Sequence, residues 1–135
     1  MKKLYILTVL LIIVITATFL LFFADENTLA REFLSSYGIK IKSSPSLSEE
    51  FIIPKEFDSS YTAYNILQIE SGLDLSPYAG KKAVRKTYLI TNFPDETEAD
   101  VFANVIFVNR HPVAGDINCP ALSGFILPLS YMLQK

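Results

Sequence analysis

The sequence predicts an α+β protein in two unequal parts. Residues 1–24 form a cytoplasmic N-terminus and a transmembrane helix; residues 25–135 form a small domain of one or two helices packed on an antiparallel sheet. Three observations predict this. Leu4 to Ala24, LYILTVLLIIVITATFLLFFA, carries no charge, proline or glycine over about 21 residues, and roughly 20 apolar residues cross a bilayer core as a helix. Period-two alternation from Lys82 and the nearly continuous apolar run from Val101 to Val108 mark strands. Between anchor and strands, two segments carry helix caps and stops, Asp25 to Tyr37 and Asp58 to Ser71.

A lone apolar segment in lipid must be helical, because nothing there hydrogen-bonds a bare backbone. Thr8, Thr16 and Thr18 can each bond back to a carbonyl one turn earlier. Lys2 and Lys3 precede the run, which by the positive-inside rule keeps the N-terminus in the cytoplasm and sends the domain outside. The competing reading is a cleaved signal peptide and a secreted domain. Its apolar region is normally about 7–15 residues and ends in small residues at alternating positions. Here a cut after Ala24 would place Phe22 at a position that wants a small side chain, and a cut after Ala17 would place Ile15 there.

Composition limits the outer part. About 110 residues suffice for one domain. The mean hydropathy of +0.32 is inflated by the anchor. Without Lys2 and Lys3, ten basic side chains face 14 acidic ones, a formal charge of −4. That opposes general attraction to nucleic acid or anionic lipid. One Cys and one His exclude an internal disulfide and a Cys/His zinc site, and no pattern calls for a cofactor.

In chain order, Asn27 or Thr28 can cap the first helix and Gly38 can end it; Leu29, Phe33, Leu34 and Tyr37 share one side. Ile39 and Ile41 alternate with Lys40 and Lys42 as a short half-buried strand, and Ser43 to Glu50 reads as a loop. Phe51 to Ile53 reads as a strand that Pro54 ends. Asp58 is the N-cap of the second helix and Gly72 its stop. Tyr61, Tyr64 and Leu67 fall on one side of it, Ile66 and Ile69 near the other. That back is either covered by a loop or by the first helix, or exposed as an apolar contact surface. In Leu73 to Gly80, Ser76 is expected to cap a single turn with Pro77 in its first position. From Lys82, Val84, Tyr88 and Ile90 face one way and Arg85, Thr87 and Thr91 the other. Asn92 to Glu98 is polar turn sequence. Val101 to Val108 fits a central strand covered on both faces. Asn109 to Pro112 turns the chain, and Val113 to Asn118 returns antiparallel. Pro120, Gly124 and Pro128 break an apolar tail too short to cross a membrane.

Several of these stretches together resemble a family of small bacterial proteins, the domain of unknown function 4830 family. They are SYGIKI (Ser36 to Ile41), IPKEFD (Ile53 to Asp58), GLDLSPYAGKKAVRKTYLITNFP (Gly72 to Pro94), VAGDI (Val113 to Ile117) and SGF (Ser123 to Phe125). The resemblance implies a basic, tyrosine-bearing strand after Gly80, matched by Arg85, Lys86 and Tyr88. Asn109-Arg110-His111-Pro112 departs from the plain Asn/Asp-Gly turn the resemblance implies, so a looser hairpin is expected there. The resemblance supplies no activity.

For chemistry, His111, Asp116 and Cys119 are the residues that could serve as base, orienting acid and nucleophile, although a strand between His111 and Cys119 would hold them about 20 Å apart. The alternative is an exposed turn His and a small buried Cys. Asp74, Asp95, Glu96, Glu98 and Asp100 lack the ligand spacing and central glycine of a calcium loop and read as solvated. Gly80-Lys81-Lys82 lacks the glycine spacing of a phosphate-binding loop. The cluster Lys81, Lys82, Arg85 and Lys86 could meet an anionic wall polymer or lipid headgroup, or merely solvate a strand and discourage edge pairing.

The sequence thus favours a non-catalytic binding module at the cell envelope. Its anchor is Leu4 to Ala24, its candidate contacts are Ile66, Ile69, Lys81, Lys82, Arg85 and Lys86, and its partner is an envelope protein or an anionic envelope polymer. An envelope enzyme using Cys119 and His111 and a structural subunit of a membrane oligomer are the alternatives.

Overall fold

The computed structural model describes residues 1–22 and 25–135. Its elements are α1 (Lys2–Phe22), α2 (Glu26–Ser35), β1 (Leu47–Ile52), α3 (Ser59–Glu70), β2 (Lys82–Leu89), β3 (Phe102–Val108), β4 (His111–Cys119) and β5 (Phe125–Leu127), with 3₁₀ turns at Ser76–Tyr78 and Leu129–Gln134. The fold is α+β, as the patterning predicts. The end of the apolar run, at Phe23 and Ala24, lies outside the described residues.

α1 is long and apolar enough to cross a membrane, with a hydropathy of 2.4 over Lys2–Leu20. Its three threonines each donate to a carbonyl one turn back, at 2.8–2.9 Å.

The five strands form an antiparallel meander in the order β1-β2-β3-β4-β5. Alternation along the strands sends side chains to two faces, and each face has its own core. On the first, Tyr88 of β2, Ala103, Val105 and Phe107 of β3 and Ile117 and Cys119 of β4 pack against Ala30 and Leu34 of α2 and against Leu129. Full burial of Leu34 stabilises by roughly 1.5–3 kcal/mol. On the second, Ala83, Ile106, Val108, Val113 and Ala114 pack with Ile53, Leu75 and the aromatic rings of Phe57, Tyr61 and Tyr64. β3 is therefore buried on both sides, which its unbroken apolar run requires.

Polar contacts fix the covering layers. Lys86 Nζ lies 2.9 Å from Glu26 Oε2, and the Tyr88 hydroxyl donates to Asn27 Oδ1 at 2.6 Å, pinning the start of α2 over β2. Asn27 is thus a docking residue rather than the cap expected; the N-cap is Asp25, whose side chain makes no capping bond. For α3, Asp58 does cap, accepting from the Tyr61 N–H at 2.8 Å. The three-residue β5 reaches only Ile117 to Cys119, and Gln68 of α3 accepts from the Gly115 N–H of β4 at 2.9 Å. Tyr37 donates to the Ser71 carbonyl and the Ser130 N–H donates to Ser71 Oγ, so the end of α3 is tied to both the α2 segment and the C-terminal turn.

The structure corrects four local expectations. Ser43 to Glu50 is not all loop, because β1 begins at Leu47: its Glu49 stands opposite Arg85 and forms an ion pair with it, and the cross-strand charge holds a segment poor in apolar residues to the edge. Ile39 to Lys42 yields a single bridge, Ile41 to Ile90, rather than a strand. Ser76 is the first residue of its turn rather than the cap: the N-cap is Leu75, and Asp74 Oδ1 accepts from the Ser76 N–H and hydroxyl. The β3–β4 hairpin is tight: Asn109 and Arg110 have φ of 49° and 66°, the two-residue turn with both φ positive that matches strand twist. His111 and Pro112 already belong to β4, and Pro112, unable to donate, sits beside a bulge whose extra residue is Val113.

Candidate functional site

The second face of the sheet carries a row of polar side chains through an otherwise apolar layer. Thr87, Asn104 and Asp116 stand directly opposite one another on β2, β3 and β4. The Thr87 hydroxyl donates to Asn104 Oδ1 at 2.6 Å, and Asn104 Nδ2 donates to Asp116 Oδ1 at 3.0 Å. From α3 the Tyr64 hydroxyl donates to Asp116 Oδ2 at 2.6 Å. Asp116 is 3% exposed. Burial pushes its carboxyl above the usual carboxylate range, against the opposing pull of Tyr64, Asn104 and nearby Arg85. Burial, and then the charge of Asp116, push the Tyr64 hydroxyl far up, so it remains a donor throughout the physiological range.

Above this row lies a pocket of about 230 Å³, lined by Phe51, Ser60, Tyr61, Tyr64, Arg85 and Ile106. α3 supplies Ser60, Tyr61 and Tyr64, one helical turn bringing the two tyrosines to the same side. β1 and β2 supply Phe51 and Arg85. The Arg85 guanidinium is 6.0 Å from the centre of the Phe51 ring and hydrogen-bonds Glu49, which raises its pKa further. The arrangement combines aromatic faces, one guanidinium and a hydroxyl. Both Asp116 oxygens already accept a hydrogen bond, so the buried carboxylate is occupied by its own neighbours.

The residues singled out from sequence fall in different places. His111 is exposed at the start of β4, whereas Cys119 is buried at the strand's far end, its thiol 3.8 Å from the Ala99 carbonyl. Eight residue steps of strand separate them, roughly 25 Å. Asp116 turns to the opposite face from Cys119, so the fold does not bring the three together. Ile66 and Ile69 are 54% and 58% exposed, and neither a loop nor α2 covers them. The four basic residues are divided: Arg85 points to the α3 face, Lys86 pairs with Glu26 on the other, Lys81 lies 5.7 Å from the Tyr78 ring and Lys82 is exposed. β2 is interior to the sheet, so these residues do not guard an edge. Asp95 accepts from the Tyr131 hydroxyl at 2.6 Å, and that bond lowers its pKa. No three His, Cys, Asp or Glu side chains converge on a cation position among the described residues.

Sequence reasoning missed Tyr64, Asn104 and the partnership of Asp116 with them. A signal was present. Asn104 and Asp116 are polar residues inside buried strand runs, and a polar group there requires a partner.

Comparison with known proteins adds one relationship. No curated protein and no solved structure matches the chain. A family model, described as "Domain of unknown function (DUF4830)", matches residues 33–117. That span begins within α2, ends within β4 and contains Tyr64, Arg85, Thr87, Asn104 and Asp116. By this match over more than half its length, the chain belongs to the DUF4830 family.

Proposed function

We propose that this chain is a non-catalytic binding module, tethered by α1 with its N-terminus in the cytoplasm and its α+β domain at the outer face of the membrane. The observation that carries the binding role is the pocket between α3 and the β1–β2 edge, where Phe51, Tyr61 and Tyr64 meet Arg85 over a carboxylate that is already satisfied. Apolar walls with a few convergent polar groups are the make-up of ligand sites. The chemistry here favours holding over reacting. The guanidinium can receive an acidic group in exchange for Glu49, the rings can flank an apolar one, and Ser60 has no base beside it among the described residues. Ile66 and Ile69 offer a separate exposed apolar strip on the outward side of the same helix.

The tether is supported by the hydropathy of α1 and by Lys2 and Lys3 before it. The partner that fits is an envelope protein presenting an acidic, apolar segment. Site-specific photocrosslinking in intact membranes tests this, with a photoreactive residue at Ser60 or at Ile66. The expected result is an adduct of one discrete mass that disappears when Tyr61→Ala and Arg85→Gln are introduced together. Adducts unaffected by those changes, or none from either position, would refute a site at the pocket. A self-adduct would replace it with assembly between copies.

A further inference from the structure

Charge is unevenly distributed along the strands, and the end beside the point where the chain leaves α1 carries several exposed basic side chains. At one end, Ile52 closes β1, Lys82 opens β2 with Lys81 just before it, and Arg110 tips the β3–β4 hairpin; all four are exposed. At the other end of β2, the connection to β3 carries Asp95, Glu96, Glu98 and Asp100, with Lys40 and Lys42 beside it and Lys135 3.5 Å from Asp95. The eight residues of β2 hold the two ends roughly 25 Å apart. That exceeds the ~8–10 Å over which salt screens charge at ordinary ionic strength. The overall charge of −4 therefore does not describe what a surface close to the basic end meets.

Connectivity says which surface that is. Glu26 lies four residues beyond Phe22, the last described residue of α1, and four residues span at most ~14 Å. Glu26 also lines a groove of about 520 Å³ together with Glu50, Ile52, Lys82, Phe107 and Arg110. With α1 across a bilayer, this groove stands within reach of the headgroup layer. Of its two carboxylates, Glu26 is neutralised by Lys86 at 2.9 Å, which leaves, among the described residues, the exposed Glu50 as the one acidic group set against Lys81, Lys82 and Arg110. Lys81 and Lys82 form no ion pair among the described residues. Ile52, 62% exposed at the rim, offers an apolar side chain to the layer below the headgroups.

We infer that the end of the sheet formed by Ile52, Lys81, Lys82 and the Arg110 hairpin rests on anionic phospholipid headgroups of the membrane in which α1 is anchored. The inference rests on the tether proposed above. Each basic side chain brought to an anionic surface favours the bound orientation by about fivefold, an effect that salt weakens. The acidic connection is repelled and directed away. The α3 pocket, on the other face of the sheet from the groove, keeps its own exposure.

The experiment is hydrogen–deuterium exchange on the full chain in lipid nanodiscs, comparing pure phosphatidylcholine with phosphatidylcholine containing phosphatidylglycerol at 30 mol %. The expected result is exchange slowed at least about fivefold at Ile52, Lys81, Lys82 and the 109–111 hairpin in the anionic discs only. The slowing should be lost at high salt and in the Lys81→Glu/Lys82→Glu variant. Unchanged exchange in β3 confirms that this variant is folded; should it not fold, Lys82→Gln with a salt series gives the same comparison. Equal exchange in the two lipids overturns the inference while leaving the tether intact. A chain that does not co-purify with the discs overturns the tether and this inference with it.

Discussion

Tyr64→Phe removes one hydroxyl from a place where its role is defined. That hydroxyl is 2.6 Å from Asp116 Oδ2, and Asp116 is almost fully buried beneath α3. A hydrogen bond to a charged group contributes about 1.5–3 kcal/mol, and the oxygen left behind loses its donor away from water. Asn104 still serves the other oxygen, so a loss of about 2 kcal/mol is expected, equivalent to roughly 8–12 °C in Tm for a domain of this size. The dependence on pH follows from the same contacts. Burial raises the Asp116 pKa in the folded state, so this group's contribution to stability is fully present below its unfolded value of about 3.9 and is lost as pH rises through the folded value. The Tyr64 bond favours the ionised form; its removal raises the folded value further. The deficit of Tyr64→Phe should therefore be full where Asp116 is ionised and should shrink as pH falls through the raised pKa. Thermal unfolding of the full chain in micelles, followed by near-UV circular dichroism, is the assay. Six of the seven tyrosines lie in the domain and there is no tryptophan, so that signal reports mainly on the domain's aromatic packing, whereas far-UV ellipticity includes α1. A fall of under about 2 °C at a pH above the raised pKa, or a deficit that grows on acidification, would refute the assignment of Tyr64 as the donor that stabilises a buried charge.

Gly115→Ala should lose about 1–3 kcal/mol, because the added carbon would lie 2.7 Å from the Asn104 carbonyl oxygen and 2.9 Å from Leu129 Cδ1, and the backbone oxygen cannot yield; the same melting experiment reads it. Asp58→Ala removes the acceptor for the Tyr61 N–H and should cost about 1 kcal/mol, with Asp58→Asn restoring most of it, as judged by the Tm values. Cys119, at the buried end of β4, should react with a thiol reagent only after denaturation; stoichiometric labelling of the folded chain within seconds would contradict its packing and revive it as a nucleophile.

How much of this was legible in the sequence depended on the range of the interaction. α1, α3 with its Asp58 cap, β2 and the doubly covered β3 follow from local periodicity and capping chemistry, and the structure has them where those rules put them. β1 was not legible. Ser48, Glu49 and Glu50 carry no strand signal of their own and become strand through Lys86, Arg85 and Val84 opposite them. The tight hairpin was hidden for a related reason: Asn109 is a familiar left-handed residue, but Arg110 at φ 66° is not, and strand pairing on both sides imposes it. The candidate site was the least legible part. Tyr64 and Asp116 are 52 positions apart, and chain order says nothing about a helix laid across the fourth strand.

The Thr87, Asn104 and Asp116 row also bears on why the sheet adopts one register. Along β3 and the middle of β4 both faces are buried, so the apolar/polar alternation that pins register where only one face is buried is weak there. A slip of one residue between β3 and β4 would turn Asp116 toward the α2 side, whose core consists of Ala103, Val105, Phe107 and Ile117, and would leave a carboxylate there without donors. A slip of two would keep the face but carry Asp116 away from Asn104. The polar row is therefore satisfied in one alignment alone, and the bulge at Val113 lies three residues from Asp116, between the row and the hairpin. Replacing all three by apolar residues of similar size need not lower stability, since a buried charge is costly even when paired. It should instead broaden the population of strand alignments. On this view, the partners of Asp116 fix the relative positions of α3 and β2, and with them the spacing of Tyr61, Tyr64 and Arg85 around the pocket.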